Sequence, residues 1–136
     1  SVLAINPQSN IIIMGDLNDD PNNKSVKKIL LASDDEKKKN TLINTAEPTF
    51  KKGYGTLAFN GTWNLFDQII ISSDLTNKNG IDYLENSFTV FAQRWMQESS
   101  GKYKGMPMRT FRGVQFNPEG FSDHLPVYIT IKKHQN

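Results

Sequence analysis

Cysteine is absent from this chain of 136 residues, which excludes disulfide bonds, thiolate metal sites and cysteine nucleophiles. No apolar run approaches the roughly 18 to 20 residues that a membrane-spanning helix needs, and no signal-like segment stands at the start. The formal net charge of +2 is far short of the concentrated basic stripe expected of a dedicated nucleic-acid binder. These absences leave the cellular compartment open, and charge alone names no partner.

The length fits one ordinary domain, and the hydrophobic share of 37% with a charged share of 22% predicts a folded chain. No internal repeat or domain linker is visible. The first residue is Ser1 rather than Met, and an apolar segment begins soon afterwards at Ile11. We therefore expect the chain to be a piece of a longer protein.

Apolar runs predict the strands. Residues 11–14 form a continuous run that stops at Gly15, which is typical of a buried strand. Residues 66–71 predict a second buried strand, and residues 87–91 a third. In residues 125–132 apolar and polar side chains alternate, the period of a strand with one buried face.

The segments between these strands are predicted from spacing and turn formers. Residues 22–32 carry apolar side chains at helical spacing, with Asn22, Asn23 or Ser25 available as N-cap. Residues 33–40 are a charge run, expected to be solvated. Residues 41–60 mix turn formers with aromatics and predict a long loop that ends at a turn of Asn60 and Gly61.

Polar side chains that can bind metal or phosphate stand at one end of three predicted strands. Asp16 and Asn18 follow the first strand, Asp67 begins the second, and Asp123 and His124 precede the last. In an antiparallel or mixed sheet, neighbouring strands of opposite direction bring the C-terminal end of one beside the N-terminal end of another. We therefore expect these ends to converge.

Asp16 and Asn18 are two positions apart, so in an extended chain both side chains point to the same face. Oxygen ligands of this type suit Mg²⁺, which also binds the phosphate oxygens of substrates. The alternative is an ordinary loop and helix start, because Asp and Asn are common turn residues. The spacing leaves both interpretations open.

His124 is the natural group to titrate near neutral pH, and a carboxylate bonded to its ring would fix its tautomer. We predict Asp67 as that partner, because adjacent Asp123 should face the opposite way in an extended segment. The alternatives are a capped turn at Ser122 and a strand-start Asp67 satisfied by backbone donors. His134, which lies among lysines, is expected to be exposed.

Taken in order, four motifs resemble those of the endonuclease/exonuclease/phosphatase superfamily, which has the DNase I-like fold. They are Gly15-Asp16-Leu17-Asn18, Pro48-Thr49-Phe50, Phe66-Asp67-Gln68-Ile69-Ile70 and Ser122-Asp123-His124-Leu125-Pro126-Val127. The resemblance covers nearly the whole chain, and the ordered set is far more specific than any single motif.

The resemblance implies a role for each of these polar residues. Asp16 would orient or deprotonate the attacking water, Asn18 would hold a phosphate oxygen, and His124, braced by Asp67, would contact the scissile phosphate. Asp123, with Asp16, would support a Mg²⁺ or Mn²⁺ ion. Positive charge from a metal and an imidazolium suits phosphoester hydrolysis, since the reaction develops charge on the phosphate oxygens.

Substrate contacts are expected from residues 94–112, an irregular stretch rich in basic and aromatic side chains. Arg94 and Arg109 could bind phosphate, and Trp95 could stack on a base or sugar ring. The alternative is an ordinary surface with solvated arginines. The substrate class stays open among nucleic acid, lipid head group and small phosphorylated compound.

The resemblance also implies an α/β fold: a four-layer sandwich with mixed, largely antiparallel sheets, of which residues 1–136 would form the C-terminal half of one domain. The family's N-terminal half normally supplies an Asn, a metal-binding Glu and often a further His or Tyr, and no Glu, His or Tyr lies upstream of Ile11. Gln68 stands where Arg, Tyr or His is common. We expect the chain to expose a sheet face and to pair with the missing half or with a copy of itself.

Two functions from different classes follow. The first is divalent-metal-dependent hydrolysis of a phosphoester in the full-length protein, with the isolated chain inactive because part of its site is missing. The second is a non-catalytic binding or interaction module on the same scaffold.

Overall fold

The computed structural model describes residues 2–35, 41–59 and 61–134. Within them the chain is a mixed α/β structure in which antiparallel strand pairs dominate and the helices are short. The fold class predicted from the sequence is therefore confirmed. No helix in these ranges has both the length and the apolar character that crossing a membrane requires.

The helical segments are α1 (Val2–Ile5), a π-helix (Ser25–Ile29), α2 (Glu47–Lys51) and 3₁₀ turns at Ser73–Thr76, Arg94–Met96 and Gly101–Tyr103. The strands are β1 (Ile12–Asp16), β2 (Ala32–Ser33), β3 (Leu42–Asn44), β4 (Leu57–Phe59), β5 (Thr62–Asn64), β6 (Asp67–Ser72), β7 (Ile81–Tyr83), β8 (Thr89–Val90), β9 (Phe111–Arg112), β10 (Gln115–Phe116), β11 (Val127–Tyr128) and β12 (Ile131–Lys133).

A four-stranded sheet in the order β1-β6-β3-β2 organises the described chain. Strand β6 runs antiparallel to both of its neighbours, and β2 pairs with β3 in parallel. Every residue of β6 after Asp67 is buried, as the prediction of a buried second strand required. Its alternating isoleucines divide the core between two faces.

The core lies on both faces of β6. On one face Ile69 and Ile71 pack with Ile43 and Leu65, while on the other Ile70 packs with Val26. Each fully buried aliphatic side chain of this kind contributes roughly 1.5 to 3 kcal/mol. Residues of β6 are therefore the rigid support from which Asp67 projects.

Strand β1 is an edge strand, and the prediction that it is buried was wrong for one of its faces. Ile12 is 42% exposed and Met14 69% exposed, although they share a face with the buried Ile71 and Ile69 across the strand pair. The cover over β6 does not extend to β1 within the described residues. An uncovered sheet face was expected from the resemblance, and this is where it lies.

The predicted helix over residues 22–32 is one π-helical turn, Ser25–Ile29, closed by a 2.8 Å hydrogen bond from the Leu30 N–H to the Ser25 carbonyl. The predicted N-caps were wrong. The side chains of Asn23 and Ser25 both donate to the Asp19 carboxylate, and no side chain caps the turn. The Asp19 side chain, which precedes the turn, therefore fixes the position of its first residues.

Residues 41–60 are not the long loop that was predicted. They contain β3, α2 and β4, and the β4–β5 hairpin pairs Phe59 with Thr62, as the expected turn requires. Asn60 itself lies outside the described residues. Of the charge run at 33–40, Asp34 accepts a 2.6 Å ion pair from Lys51, and residues 36–40 also lie outside the described ranges.

The last predicted strand is divided between two partners, since β11 pairs with β8 and β12 pairs with β7. The third predicted strand is present as the short β8. His134 is 41% exposed, as expected, but its Nε2 lies 2.8 Å from the Oδ2 of buried Asp82, a contact that the sequence did not predict. The sequence analysis missed β7, which carries that carboxylate.

Candidate active site

The pairing of β1 with β6 sets Asp16 directly opposite Asp67 at one end of the sheet. Gly15 precedes Asp16 with a φ of +145°, a backbone conformation that glycine adopts readily and side-chain-bearing residues rarely do. After Asp16, the Leu17 N–H donates to the Phe66 carbonyl at 2.9 Å. The chain therefore stays beside β6 as it leaves the strand.

Asp16 and Asn18 are brought together by a turn rather than by strand alternation. The Asn18 N–H donates to Asp16 Oδ1 at 2.8 Å, and Asn18 has a φ of +51°. Asparagine tolerates this left-handed conformation better than most residues. The extended chain assumed in the sequence analysis was wrong at Asn18, but both residues are exposed at the same loop.

His124 lies beside Asp67, the partner expected from the sequence, with Nδ1 2.7 Å from Asp67 Oδ2. Both side chains are mostly shielded, with 22% of the His124 side chain and 20% of the Asp67 side chain exposed. An ionised carboxylate can only accept, so this bond assigns the Nδ1 proton to His124. Within the described residues, His124 Nε2 has no hydrogen-bond partner and is the ring atom left to act.

The turn that carries His124 is fixed on both sides. Its own N–H donates to Ser122 Oγ at 3.0 Å, and the N–H of buried Leu125 donates to the Thr56 carbonyl at 2.8 Å. Asp123 lies between them with an exposed side chain. Within the described part of the chain no hydrogen bond or ion pair restrains its carboxylate, so Asp123 is open to solvent beside the histidine.

Two further acidic residues of this loop support the structure. Asp20 accepts hydrogen bonds from the Leu65 N–H at 2.7 Å and from Asn64 Nδ2 at 2.8 Å. Asp19 accepts from Ser25 and, second in effect, Asn23, and these bonds hold the pKa of its carboxyl below the ordinary value. Neither residue was assigned a role from the sequence, because a structural Asp and a catalytic Asp in a loop cannot be told apart by sequence pattern.

Gln68 is the buried link between the sheet and the Asp16 loop. Its Nε2 donates to the Asp19 carbonyl at 2.5 Å, and its Oε1 accepts from Asn44 Nδ2 at 2.7 Å. Its side chain points to the face opposite that of Asp67, as strand alternation predicted. An amide inside an otherwise apolar strand was the available signal that residue 68 has a polar partner.

The three substrate-binding residues predicted within residues 94–112 do not line one cleft. Arg94 and Trp95 lie exposed on a 3₁₀ turn, where the Trp95 ring packs edge-on against Phe121 at a centroid distance of 5.2 Å. Arg109 is partly buried and donates from Nη2 to the Ala58 carbonyl at 3.0 Å. Arg109, unlike the other two, lines a large cleft.

A divalent ion is not fully provided for by these residues. The described ranges contain no group of three or more His, Asp or Glu side chains placed to hold one. Asp16 and Asp123 are the exposed carboxylates at this end of the sheet, and Asp67 is already engaged by His124. The donor set on its own is therefore incomplete for Mg²⁺ or Mn²⁺, which take about six oxygen ligands.

The sheet and its edge cluster of Asp16, Asp67 and His124 define an α/β protein with a candidate acid–base site. The sequence model of the endonuclease/exonuclease/phosphatase family matches residues 1–133, and the chain belongs to this family. Activity of this family is, in general, metal-dependent hydrolysis of phosphoesters. Neither a curated protein nor a solved structure gives a significant match.

Proposed function

We propose that this chain carries the histidine side of an active site that hydrolyses a phosphoester with the help of Mg²⁺ or Mn²⁺. The observation that supports this most directly is the bond between His124 Nδ1 and Asp67, which leaves Nε2 free at the end of the sheet where Asp16 lies. Family membership supplies the reaction type.

His124 acts on the phosphate through Nε2. Asp67 holds the ring in one orientation, so that in the protonated ring Nε2–H donates to a phosphate oxygen as negative charge develops there. The partial burial of both side chains strengthens this interaction, because a lower local dielectric weakens competition from water. Asp67 is a positioning residue in this scheme.

Asp16 and Asn18 contact the attacking water and the phosphate, respectively. The Asp16 carboxylate accepts one bond from the Asn18 N–H and keeps its second oxygen to orient or deprotonate a water molecule. The Asn18 side chain donates to a phosphate oxygen from the same turn. Asp123, with Asp16, offers carboxylate oxygen to the ion, whose part is to neutralise phosphate charge.

We also propose that residues 1–136 form the C-terminal part of a single domain whose remaining part completes the metal site. The incomplete donor set and the exposed face of β1 at Ile12 and Met14 both favour this arrangement. The phosphorylated substrate would then lie between the two parts. The isolated chain is expected to be inactive, or to become active only when it associates.

The test is hydrolysis of bis(4-nitrophenyl) phosphate by the complete domain with Mg²⁺ or Mn²⁺. We expect His124→Asn to lower kcat by roughly 10² to 10⁴, the usual contribution of a positioned acid or base, and Asp67→Asn to lower it less. The matched control is His134→Asn, which removes the chain's other His–Asp pair. Equal losses from His124→Asn and His134→Asn would mean that both act through stability, and the proposal would fail.

The isolated chain allows a second measurement that needs no turnover. Titration with dimethyl phosphate should shift the ¹⁵Nε2 resonance of His124, and Asp67→Asn should weaken that response because the ring loses its orientation. The His134 resonances serve as an internal reference. No shift at His124 up to tens of millimolar phosphoester would contradict its assigned contact.

A binding module without catalysis is the second candidate, and the incomplete set of metal ligands is the observation that favours it. Calorimetry of the complete domain separates the two. Stoichiometric binding of Mn²⁺ that Asp123→Ala abolishes supports the enzyme. Phosphoester binding with no metal site and no turnover supports the module.

A further inference from the structure

A cleft of about 780 Å³ lies between the β4–β5 hairpin and the irregular segment 98–113. It is large enough for a small ligand of the size that protein pockets usually accept. We name it the cationic cleft and define it by its lining residues, which include Phe59, Glu98, Lys102, Tyr103, Arg109 and Arg112.

The lining carries three cations and one carboxylate, so two positive charges are left over. Arg112 Nη2 donates to both carboxylate oxygens of Glu98, at 2.5 and 2.6 Å, and this pair is neutral. Arg109 bonds to the uncharged Ala58 carbonyl, and the Lys102 ammonium forms no ion pair with another described residue. The cleft therefore attracts an anion, and the Arg109 guanidinium and the Lys102 ammonium suit phosphate.

Aromatic rings stand beside these cations. Phe59 is 64% exposed and Tyr103 51% exposed, and Lys102 Nζ lies 5.5 Å from the centroid of the Tyr103 ring. Exposed rings next to cations give a flat ligand a stacking surface together with a charge partner. A simple phosphate would use only the cations and would leave the rings uncovered.

The cleft is held in shape by main-chain bonds. The Glu98 N–H donates to the Met106 carbonyl at 2.9 Å, and the Gly105 N–H donates to the Glu98 carbonyl at 2.8 Å. The Arg109 side chain joins this segment to β4 through Ala58. A preformed site loses less entropy when a ligand binds.

The chain segment that leads to His124 packs against the segment that carries Arg109. The Phe121 N–H donates to the Met108 carbonyl at 3.0 Å, and Gly120 packs so tightly that an added Cβ would lie 2.1 Å from the Arg109 carbonyl oxygen. His124 follows Gly120 by four residues, a span of at most about 14 Å. One substrate could occupy both places.

We propose that the cationic cleft binds a phosphate joined to a flat ring, which is the chemistry of a nucleotide. This nucleotide is the part of the substrate beyond the reacting phosphate, so the phosphate in the cleft is not the one that is hydrolysed. Lys102 and Arg109 contact the phosphate, and Tyr103 stacks on the ring. The position of this subsite rests on the proposed function of His124. Binding itself requires no hydrolysis and can be tested separately.

The experiment is calorimetry of the complete domain carrying His124→Asn, in which turnover is slowed by roughly 10² to 10⁴. The probes are adenosine 5′-monophosphate, adenosine and ribose 5-phosphate, which separate the contributions of ring and phosphate. We expect the nucleotide to bind at least about tenfold more tightly than either part, because it uses both kinds of contact.

Paired variants locate the binding in the cleft. Lys102→Met should weaken nucleotide and ribose 5-phosphate about tenfold and leave adenosine unchanged, since it removes one charge-assisted contact. Tyr103→Leu should weaken nucleotide and adenosine and leave ribose 5-phosphate unchanged. The controls are Lys28→Met and Tyr54→Leu, which change exposed residues of the same types outside the cleft.

The proposal is overturned if the nucleotide does not bind, if ribose 5-phosphate binds as tightly, or if the control variants weaken binding equally. Failure of the proposed function gives a different pattern. Nucleotide binding that depends on Lys102 and Tyr103, in a protein that hydrolyses no phosphoester, would leave the cleft standing and remove the catalytic role of His124.

Discussion

Gln68 offers the sharpest test of how the sheet supports the candidate site. Its side chain is fully buried and makes two hydrogen bonds, one donated to the Asp19 carbonyl and one accepted from Asn44. Gln68→Leu keeps most of the volume and removes both bonds. The buried Asn44 amide and the partly buried Asp19 carbonyl are then left unpaired.

The expected cost follows from those two groups. An unsatisfied buried donor or acceptor costs about 1 to 3 kcal/mol, so Gln68→Leu should lower the free energy of unfolding by about 2 to 6 kcal/mol. A domain of this size has only about 5 to 15 kcal/mol in total. The matched control is Gln93→Leu, the same change at an exposed position, which should stay within about 0.5 kcal/mol.

Gln68→Glu adds a pH signature that a packing defect would lack. One carboxyl oxygen can still accept from Asn44, but the other must carry a proton to donate to the Asp19 carbonyl, so the folded-state pKa of the introduced group is raised. The stability of this variant is therefore highest below the unfolded pKa of about 4.3 and falls as pH rises towards the folded value.

Urea unfolding of the complete domain at several pH values measures both variants. We expect the stability gap between wild type and Gln68→Glu to widen from acid to neutral pH, while the gap for Gln68→Leu stays nearly constant. A pH-independent gap for Gln68→Glu, or a Gln68→Leu cost no larger than that of Gln93→Leu, would refute the inferred bonds. Kinetics on the folded variants would then show whether loosening the Asp19 loop lowers kcat.

Three other expectations concern the same end of the molecule. Asp19→Asn should lower the free energy of unfolding at neutral pH and leave it nearly unchanged in acid. Hydrogen bonds from Ser25 and Asn23 lower the Asp19 pKa, and the stability they give is lost as pH falls through the folded pKa. Urea titrations at about pH 7 and pH 2 test this. Gly120→Ala should lower Tm by several degrees, since the new Cβ meets a backbone carbonyl that cannot swing aside. Met14→Lys should reduce self-association of the isolated chain in gel filtration if the exposed face of β1 is a pairing surface; an unchanged elution profile would argue against that.

Apolar runs were enough to predict the central strand pair. Residues 11–14 are all apolar and residues 69–71 are three consecutive isoleucines, so β1 and β6 follow from hydrophobicity, and their antiparallel pairing puts Asp16 opposite Asp67. The convergence expected of strand ends in a sheet therefore holds for Asp16 and Asp67, whereas His124 precedes β11, which pairs with β8 outside this sheet. Hydrophobicity could not give the exposure of Met14, because burial depends on what covers a strand and not on the strand itself.

Short elements escaped prediction for a different reason. Strand β3 has three residues and β2 has two, too few for any period to show; β3 forms because β6 offers a partner, and β2 because β3 does. The bond between Gln68 and Asn44 joins residues 24 positions apart, so neither position reveals it alone. Tertiary pairing, rather than local preference, decides structure in residues 41–60.

Substrate residues were the least predictable part of the candidate site. Arg94, Trp95 and Arg109 look alike as basic or aromatic positions in one irregular stretch, yet only Arg109 lines the cationic cleft. Its position depends on the β4–β5 hairpin, since the bond to Ala58 spans 51 residues. Composition can indicate a basic, aromatic segment, but which of its side chains faces a ligand depends on how the segment packs against β4.

The chain contains two His–Asp pairs, and their comparison shows what a contact alone can establish. His134 meets Asp82 as closely as His124 meets Asp67, at 2.8 and 2.7 Å. Asp82 is buried and also accepts a hydrogen bond from the Lys78 N–H. These contacts suit a structural role, in which Asp82 holds the end of β12 in place through His134. The surroundings of Asp67 differ, because Asp16 lies opposite it and Asp123 is exposed beside its histidine. A site needs several unsatisfied groups at one place, so His124 carries the functional proposal and His134 serves as its control.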